Sequence, residues 1–150
     1  NLYNYPDNLF VAGFIGSPQM NFMDAQVEVK GNDVKLVVGE FSIKLPADKA
    51  KKLIDGGYAG KTVTMGIRPE NVYDSEEFIK SSPDTVIESK IRVYELLGAE
   101  VFLYFDVEGY NMTARVNPQT TARTGDTVRF ALDATKIHVF DKETEKVITN

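Results

Sequence analysis

Cysteine and tryptophan are absent from the 150 residues of this sequence, and histidine occurs once, as His138. The absence of cysteine excludes a disulfide scaffold and a thiolate zinc site, and a lone histidine cannot complete a zinc cluster. No apolar run approaches the about 20 residues that span a bilayer, and no basic, apolar leader opens the chain. Because the chain begins without methionine, we expect it to be a fragment of a longer protein.

Basic residues are also fewer than acidic residues. Lysine and arginine total 17 against 22 aspartates and glutamates, the net charge is −5, and no part of the chain is strongly basic. Affinity for nucleic acids comes mainly from neutralised phosphates, so the sequence predicts no nucleic-acid partner. Tyr94, Phe102 and Tyr104 could stack on bases, as aromatic residues of some OB barrels do. Without a basic groove, a place in the protein core is favoured for them.

Short stretches of alternating apolar and polar residues fill most of the chain after residue 23. This period of two is typical of half-buried β-strands. One helix interrupts the pattern at residues 47–55, and Gly56 and Gly57 end it. The predicted strands cover residues 27–29, 34–38, 41–45, 62–67, 86–95, 101–107, 112–116, 127–132, 137–140 and 146–148.

The chain contains an internal repeat. Residues 60–67 and 125–132 share the pattern Gly-x-Thr-Val-x-apolar-x-apolar, 65 positions apart. An alternating strand that ends at a proline, Pro46 or Pro118, comes before each copy, and a further apolar strand precedes that one. Agreement at three places in the same order predicts two related lobes of the five-stranded OB type. The predicted fold is therefore mainly β, with two OB-like barrel lobes, a leading amphipathic helix and one further short helix.

Four segments follow from these patterns. A leading helix occupies residues 1–23, the first OB-like lobe residues 24–70, an acidic connecting loop residues 71–84, and the second OB-like lobe residues 85–150. We expect the loop to be mobile and to be cut first near Lys80 in limited proteolysis, because it is rich in serine, aspartate and glutamate. The leading helix is indicated by an N-cap at Asp7 and apolar residues on one face, at Leu9, Phe10 and Phe14.

The sequence offers no catalytic constellation. Residues 55–62 come close to a phosphate-binding P-loop, but Asp55 replaces its first glycine and the helix precedes the loop instead of following it. We interpret this segment as a helix end and a turn. His138 lies between Ile137 and Val139 in an alternating segment and is predicted to face solvent. No nucleophile elbow is present, so no catalytic, cofactor-binding or metal-binding residue is assigned.

Four motifs carry a family resemblance. The first runs from Tyr3 to Phe22 and is the most specific; its members include Phe10, Phe14, Gly16, Ser17, Pro18, Asn21 and Phe22. The others are Gly66-Ile67-Arg68-Pro69-Glu70, Glu95-Leu96-Leu97-Gly98-Ala99-Glu100 and Ile137-His138-Val139-Phe140-Asp141. In this order they resemble ATP-binding subunits of bacterial sugar ABC importers, in the maltose, multiple-sugar and glycerol-phosphate group. The resemblance covers the whole chain.

The resemblance implies a carboxy-terminal regulatory domain of the TOBE and OB-fold type. Residues 1–23 would then link it to a nucleotide-binding domain that carries the P-loop and binds Mg-ATP. In that group the ATPase subunits work in pairs on membrane permease subunits at the cytoplasmic face, and the regulatory domains touch across the pair. Some members also receive a regulatory phosphotransferase protein. The fragment itself is expected to be no enzyme, to bind no cofactor and to insert in no membrane.

The turn after the fifth predicted strand is the candidate contact surface. It consists of Glu95, Leu96, Leu97, Gly98 and Glu100, where apolar residues stand at a position that solvation normally makes polar. In one interpretation these residues meet a second copy of the chain. In the other, both leucines fold back onto the barrel core. Two other functions remain open: a stand-alone OB-like module for a small oxyanion or another ligand, and a nucleic-acid-binding OB domain.

Overall fold

The computed structural model describes residues 19–150, which fold into two antiparallel sheets around one core. The first sheet has the strand order β11-β10-β4-β1-β2-β3 and the second the order β5-β9-β6-β7-β8. The strands are β1 Asn21–Lys30, β2 Asp33–Val38, β3 Phe41–Lys44, β4 Thr62–Ile67, β5 Val72–Tyr73, β6 Val86–Leu97, β7 Glu100–Val107, β8 Tyr110–Val116, β9 Thr127–Leu132, β10 His138–Asp141 and β11 Val147–Thr149. The mainly β class is confirmed. Residues 1–18 of the predicted leading helix lie outside the described residues, and residues 21–23, also assigned to it, belong to strand β1 instead.

Within residues 19–150, two α-helices accompany the sheets. Helix α1, Ala47–Asp55, has the predicted bounds and buries Ala50 and Leu53 against the core. Helix α2, Glu76–Ser81, lies within the segment predicted as a loop. The Ser75 hydroxyl caps α2 by accepting from the Phe78 amide, and Ile79 is buried. The sequence did not predict this helix because the segment is mostly polar. A capping serine and one buried isoleucine are sufficient to anchor so short a helix.

The internal repeat is visible in the topology. Strands β1 to β4 are ordered β4-β1-β2-β3, and strands β6 to β9 have the equivalent order β9-β6-β7-β8. A 3₁₀ turn follows β4 at Pro69–Asn71 and another follows β9 at Ala134–Lys136. The two halves of the chain therefore share one plan, as the matching sequence patterns predict.

Each half places its next strand in the sheet of the other half. Strand β5, which follows β4, pairs with β9, with Val72 opposite Leu132. Strand β10, which follows β9, pairs with β4, with His138 opposite Gly66. The second lobe as predicted, residues 85–150, therefore gives β10 and β11 to the first sheet. Local alternation predicts a strand but not its partner, which is why the exchange could not be anticipated.

Candidate functional site

The P-loop-like segment is a connection with no phosphate cradle. It follows helix α1 and leads into β4, in the order helix, turn, strand. Gly57 and Gly60 adopt positive φ angles of 79° and 78°, which glycine allows at no steric cost. The Gly60 amide donates to the Val27 carbonyl at 2.8 Å, and the Lys61 ammonium lies 5.9 Å from the centre of the Tyr58 ring. The segment is thus held by contacts within the first lobe and by the Tyr58 hydroxyl, which donates to the Asp141 carboxylate of β10 at 2.7 Å.

His138 is buried, with 5% of its surface exposed, so the prediction that it faces solvent is wrong. It pairs with Gly66 of β4 in the middle of the first sheet, where both faces are covered. Its Nδ1 lies 2.9 Å from Oδ1 of Asn150. Burial is the main cause that lowers the pKa of His138 from its ordinary 6.5 to about 4; the hydrogen bond to Asn150 opposes this shift, and the charges of Arg68 and Lys49 contribute to it.

Asn21 and Phe22, the last two residues of the first family motif, lie within the described part of the chain and join the lobes. The Asn21 side chain donates from Nδ2 to the Thr113 carbonyl at 2.9 Å, and its Oδ1 accepts from the Thr113 amide at 2.8 Å. The Asn21 side-chain amide thus forms the two backbone hydrogen bonds that a neighbouring strand would otherwise form with the edge strand β8. Phe22 packs edge-on against Phe140, with ring centres 6.2 Å apart. The other motif residues, from Phe10 to Pro18, lie outside the described residues.

The candidate contact surface forms the tip of the β6–β7 hairpin, which we call the hairpin tip: Glu95, Leu96, Leu97, Gly98 and Glu100. Leu96 is 57% exposed and Leu97 53% exposed, so neither side chain folds back onto the core. Gly98 has a φ of 60°, so the turn itself requires a glycine there. Leu97 lies opposite Glu100 in the last pair of the hairpin.

One face of the sheet continues the apolar surface away from the hairpin tip. Residues opposite each other in antiparallel strands share a face, which places Val93 with Tyr104 and Glu95 with Phe102. Val93 is 41% exposed, and Phe102 and Tyr104 are half-buried. The Tyr104 hydroxyl donates to the Glu95 carboxylate at 2.8 Å, which fixes both side chains on this face. Leu97 extends the same face, because it is two residues beyond Glu95.

The repeat supplies an internal reference for the hairpin tip. The equivalent hairpin, β1–β2, turns at Gly31 with a φ of 64°, close to that of Gly98. Lys30 lies opposite Asp33 there, in the position that Leu97 and Glu100 occupy in the second lobe. The same turn therefore forms with a lysine in place of the leucine. The fold does not need an apolar residue at position 97, so the leucine is available for another role.

Residues 19–150 contain neither a metal-binding cluster nor a membrane-spanning helix. In that range, no three His, Cys, Asp or Glu side chains come together in a way that could hold a metal ion. No helix in the same range has both the length and the apolar character to cross a bilayer.

The family comparison agrees with the two repeats. The family model of the MalK OB fold domain matches residues 16–72, and that of the TOBE domain matches residues 81–139. The chain belongs to the MalK OB-fold and TOBE family. The resemblance to sugar ABC importer subunits is thereby confirmed, and the gap between the two matches falls at helix α2.

Curated relatives extend this family assignment along nearly the whole chain. The oligosaccharides import ATP-binding protein MsmX of Bacillus subtilis is 38% identical over 97% of the chain. The trehalose/maltose import ATP-binding protein MalK of Thermococcus litoralis is 38% identical over 98%. The multiple sugar-binding transport ATP-binding protein MsmK of Streptococcus mutans is 37% identical over 98%. The MalK OB-fold and TOBE chain spans only 38% to 39% of the length of these proteins.

A solved structure supports the fold alone. The molybdate-bound form of the cytoplasmic molybdate-binding protein ModG superposes with a TM-score of 0.58, over 81% of this chain and 94% of that one. Its sequence identity is 12%. The OB-type architecture of the MalK OB-fold and TOBE chain therefore occurs in proteins of unrelated sequence, and the similarity carries no argument about ligand.

Proposed function

We propose that this chain is the regulatory and dimerisation domain of the ATP-binding subunit of a carbohydrate ABC importer. The parent protein would bind Mg-ATP in a separate nucleotide-binding domain and couple its hydrolysis to sugar uptake through permease subunits. It would lie peripherally on the cytoplasmic face of the membrane. The fragment would contribute the contact between paired subunits and no catalysis. Regulatory phosphotransferase proteins are further candidate partners of this domain.

The observation that carries the proposal is the exposed apolar surface of the second lobe. Among residues 19–150, the large apolar side chains that are exposed are Val93, Leu96 and Leu97, and all three belong to the end of one strand. A second copy of the chain is the occupant that we propose, because two-fold pairs apply the same patch from both sides. The equivalent hairpin of the first lobe carries Lys30 and remains polar, so we count one such patch within residues 19–150.

Changing Leu97→Asp is expected to weaken self-association at least about thirtyfold, since truncating or charging a central contact costs about 2 kcal/mol or more. We expect the unmodified chain to dimerise with a Kd of about 10 μM or weaker, as small interfaces do. Sedimentation equilibrium over a concentration series measures both values. The matched control is Asn32→Asp, which adds the same charge to the turn of the equivalent hairpin and should leave the Kd unchanged.

Two results would contradict this assignment. A dimer that tolerates Leu97→Asp would place the interface elsewhere on the chain. A chain that stays monomeric at millimolar concentration would remove the dimerising role from this domain.

The chain alone is expected to show no saturable binding of Mg-ATP at micromolar concentration in isothermal titration calorimetry. A P-loop triphosphate site needs a glycine-rich loop between a strand and a helix, and the nearest segment runs from a helix to a strand with Asp55 at its start. Micromolar binding would show that the fragment has a nucleotide site of its own. It would contradict the proposal that Mg-ATP binds only in a separate nucleotide-binding domain.

A further inference from the structure

A cavity with walls from both lobes lies on the exposed face of strand β1. Gln26 of β1 is flanked there by Val37 of β2 and Thr62 of β4, its partners in the two neighbouring strands. The β7–β8 hairpin of the second lobe contributes Glu108 and Tyr110 to the wall. The volume of this interlobe cavity is ≈ 430 Å³, which falls within the range of about 300 to 1,000 Å³ that is typical of small-molecule sites.

Glu108 is held in the wall of the interlobe cavity by contacts with the other lobe. Its φ of 50° and that of Gly109, 86°, are both positive, as in two-residue hairpin turns that favour asparagine, aspartate and glycine. Its Oε1 accepts from the Glu40 amide of the first lobe at 3.3 Å. Its carboxyl group lies so close to Gly39 that a β-carbon there would overlap it. A carboxylate is therefore fixed at this wall by two turns, one from each lobe.

The charges of the interlobe cavity disfavour both anions and metal ions. Its wall residues include two acids, Asp24 and Glu108, and no lysine or arginine. The Lys142 ammonium donates to both carboxylate oxygens of Asp24, at 2.9 and 2.8 Å, and balances its charge. Within residues 19–150, no three metal-ligating side chains come together. Each wall carboxylate already accepts from one protein donor, which weakens its attraction for a cation but leaves lone pairs for a neutral donor.

The other polar groups of the wall can both donate and accept hydrogen bonds. The Gln26 amide and the hydroxyls of Thr62 and Tyr110 do both, whereas the two carboxylates only accept. Each hydroxyl of a sugar or polyol also donates and accepts, so neighbouring hydroxyls can match such a mixed wall. The chemistry of the interlobe cavity therefore fits a neutral ligand with several hydroxyl groups.

A second cavity extends this space along β1. Its volume is ≈ 360 Å³, it shares Gln26 and Val37 with the interlobe cavity, and it continues past Glu28 to Gly60. Gln26 therefore contributes to the walls of both cavities. The two together offer room for a ligand longer than one sugar ring.

We propose that the interlobe cavity binds a neutral, hydroxyl-rich ligand of the sugar and polyol class. Gln26 and Thr62 of the first lobe and Glu108 and Tyr110 of the second would hydrogen-bond to its hydroxyls, so the bound ligand would join the two lobes. Because Gln26 and Thr62 are exposed and the wall offers little apolar surface, we expect a weak Kd of about 1 mM. The site is separate from the proposed pairing surface, since the hairpin tip and the β7–β8 turn lie at opposite ends of β7.

NMR titrations of the full chain with maltose, a ring sugar, and sorbitol, an open-chain polyol, test the proposal. Sugars and polyols stabilise proteins through exclusion from their surfaces, so backbone amide shifts are a sharper measurement than the Tm. The amide signals of Gln26, Thr62 and Gly109 should shift and saturate with a Kd of about 1 mM for at least one of the two ligands. Saturation by only one of them supports the proposal and identifies the kind of ligand that the site selects.

Two matched variants decide whether the shifts come from the interlobe cavity. Gln26→Ala should weaken binding about fivefold, the effect of losing one hydrogen bond between neutral groups. Gln119→Ala removes the same exposed side chain outside the cavity and should leave the Kd unchanged. Leu97→Asp should also bind as the unmodified chain does, so the outcome is independent of pairing.

Three results would overturn the proposal. The first is a set of shifts that grow linearly with both maltose and sorbitol, because a site must saturate. The second is an equal Kd in Gln26→Ala and Gln119→Ala. The third is saturation by the polyamine spermidine and by neither neutral ligand, which would show that the wall carboxylates attract a cation instead.

Discussion

Phe105→Ala is expected to lower the free energy of unfolding by about 3 to 5 kcal/mol, the range for deleting a fully buried aromatic ring. Phe105 of β7 stacks on Phe130 of β9, with ring centres 4.4 Å apart and planes 8° from parallel, and neither side chain is exposed. The two strands flank β6, so the pair joins three strands on the core side of the second sheet. Alanine would leave a cavity beside Phe130 that the surrounding strands could not close.

Phe102→Ala is the matched control for this experiment. Phe102 lies three residues earlier on β7, faces the opposite side of the sheet and is half-buried. Its removal should cost about 1 kcal/mol, because less apolar surface returns to water and no closed cavity forms. Urea denaturation of the three proteins gives both differences. Equal losses for the two variants would mean that the Phe105–Phe130 stack does not form the centre of the core.

Acid should destabilise the protein between pH 6.5 and pH 4 by about 2 to 3 kcal/mol, through His138 alone. The unfolded chain takes up this proton near pH 6.5, whereas the folded chain does so only near pH 4 because the ring is buried beside Arg68 and Lys49. The unfolded state therefore binds more protons in this window. The stabilisation is complete above pH 6.5 and is lost as the pH falls to about 4.

His138→Gln tests the assignment of this acid loss. The variant should show a flatter dependence of unfolding free energy on pH between 6.5 and 4, measured by urea denaturation at fixed ionic strength. Asp141 titrates in a different window: amide hydrogen bonds, the first from Thr144, and the Tyr58 hydroxyl lower its pKa from 3.8 to about 2. Its contribution is present above pH 3.8 and is lost toward pH 2. An unaltered slope above pH 4 in His138→Gln would rule out the histidine as the cause.

The sequence was sufficient for the first helix and for every described strand except the two-residue β5, which lies in the segment predicted as a loop, because the predicted elements depend on local patterns. Alternation of period two predicted the strands, and the two glycines after Asp55 marked the end of helix α1. The repeated pattern at residues 60–67 and 125–132 predicted two lobes of one plan, which the strand orders confirm. Helix α2 could not be predicted in this way, since its six residues hold one buried side chain, Ile79.

The environment of His138 could not be predicted because it depends on a distant strand. Alternation places the side chain on one face of β10 but does not say whether that face is covered. Pairing with β4, 72 positions earlier in the register of His138 with Gly66, sets the ring inside the protein. The cavity between the turns Pro69–Asn71 and Ala134–Lys136 is hidden from sequence for the same reason, because its wall residues Arg68 and Lys136 belong to different halves of the chain. By contrast, the hairpin tip is local, and Leu96 and Leu97 could be named in advance as residues at a turn.

The exchange of strands β5 and β10 has a consequence for how this chain folds. Neither half can complete its own sheet, because each sheet includes a strand from the other half, 60 or more positions away in the sequence. Val72 of β5 pairs with Leu132, and His138 of β10 pairs with Gly66. Closing such long loops costs entropy before any contact repays it, which slows folding. The two barrels should therefore form and melt in one cooperative transition instead of in succession. The same arrangement would result from a domain-swapped dimer of two identical single-lobe proteins, in which each copy gave one strand to the other, if the two genes were later fused.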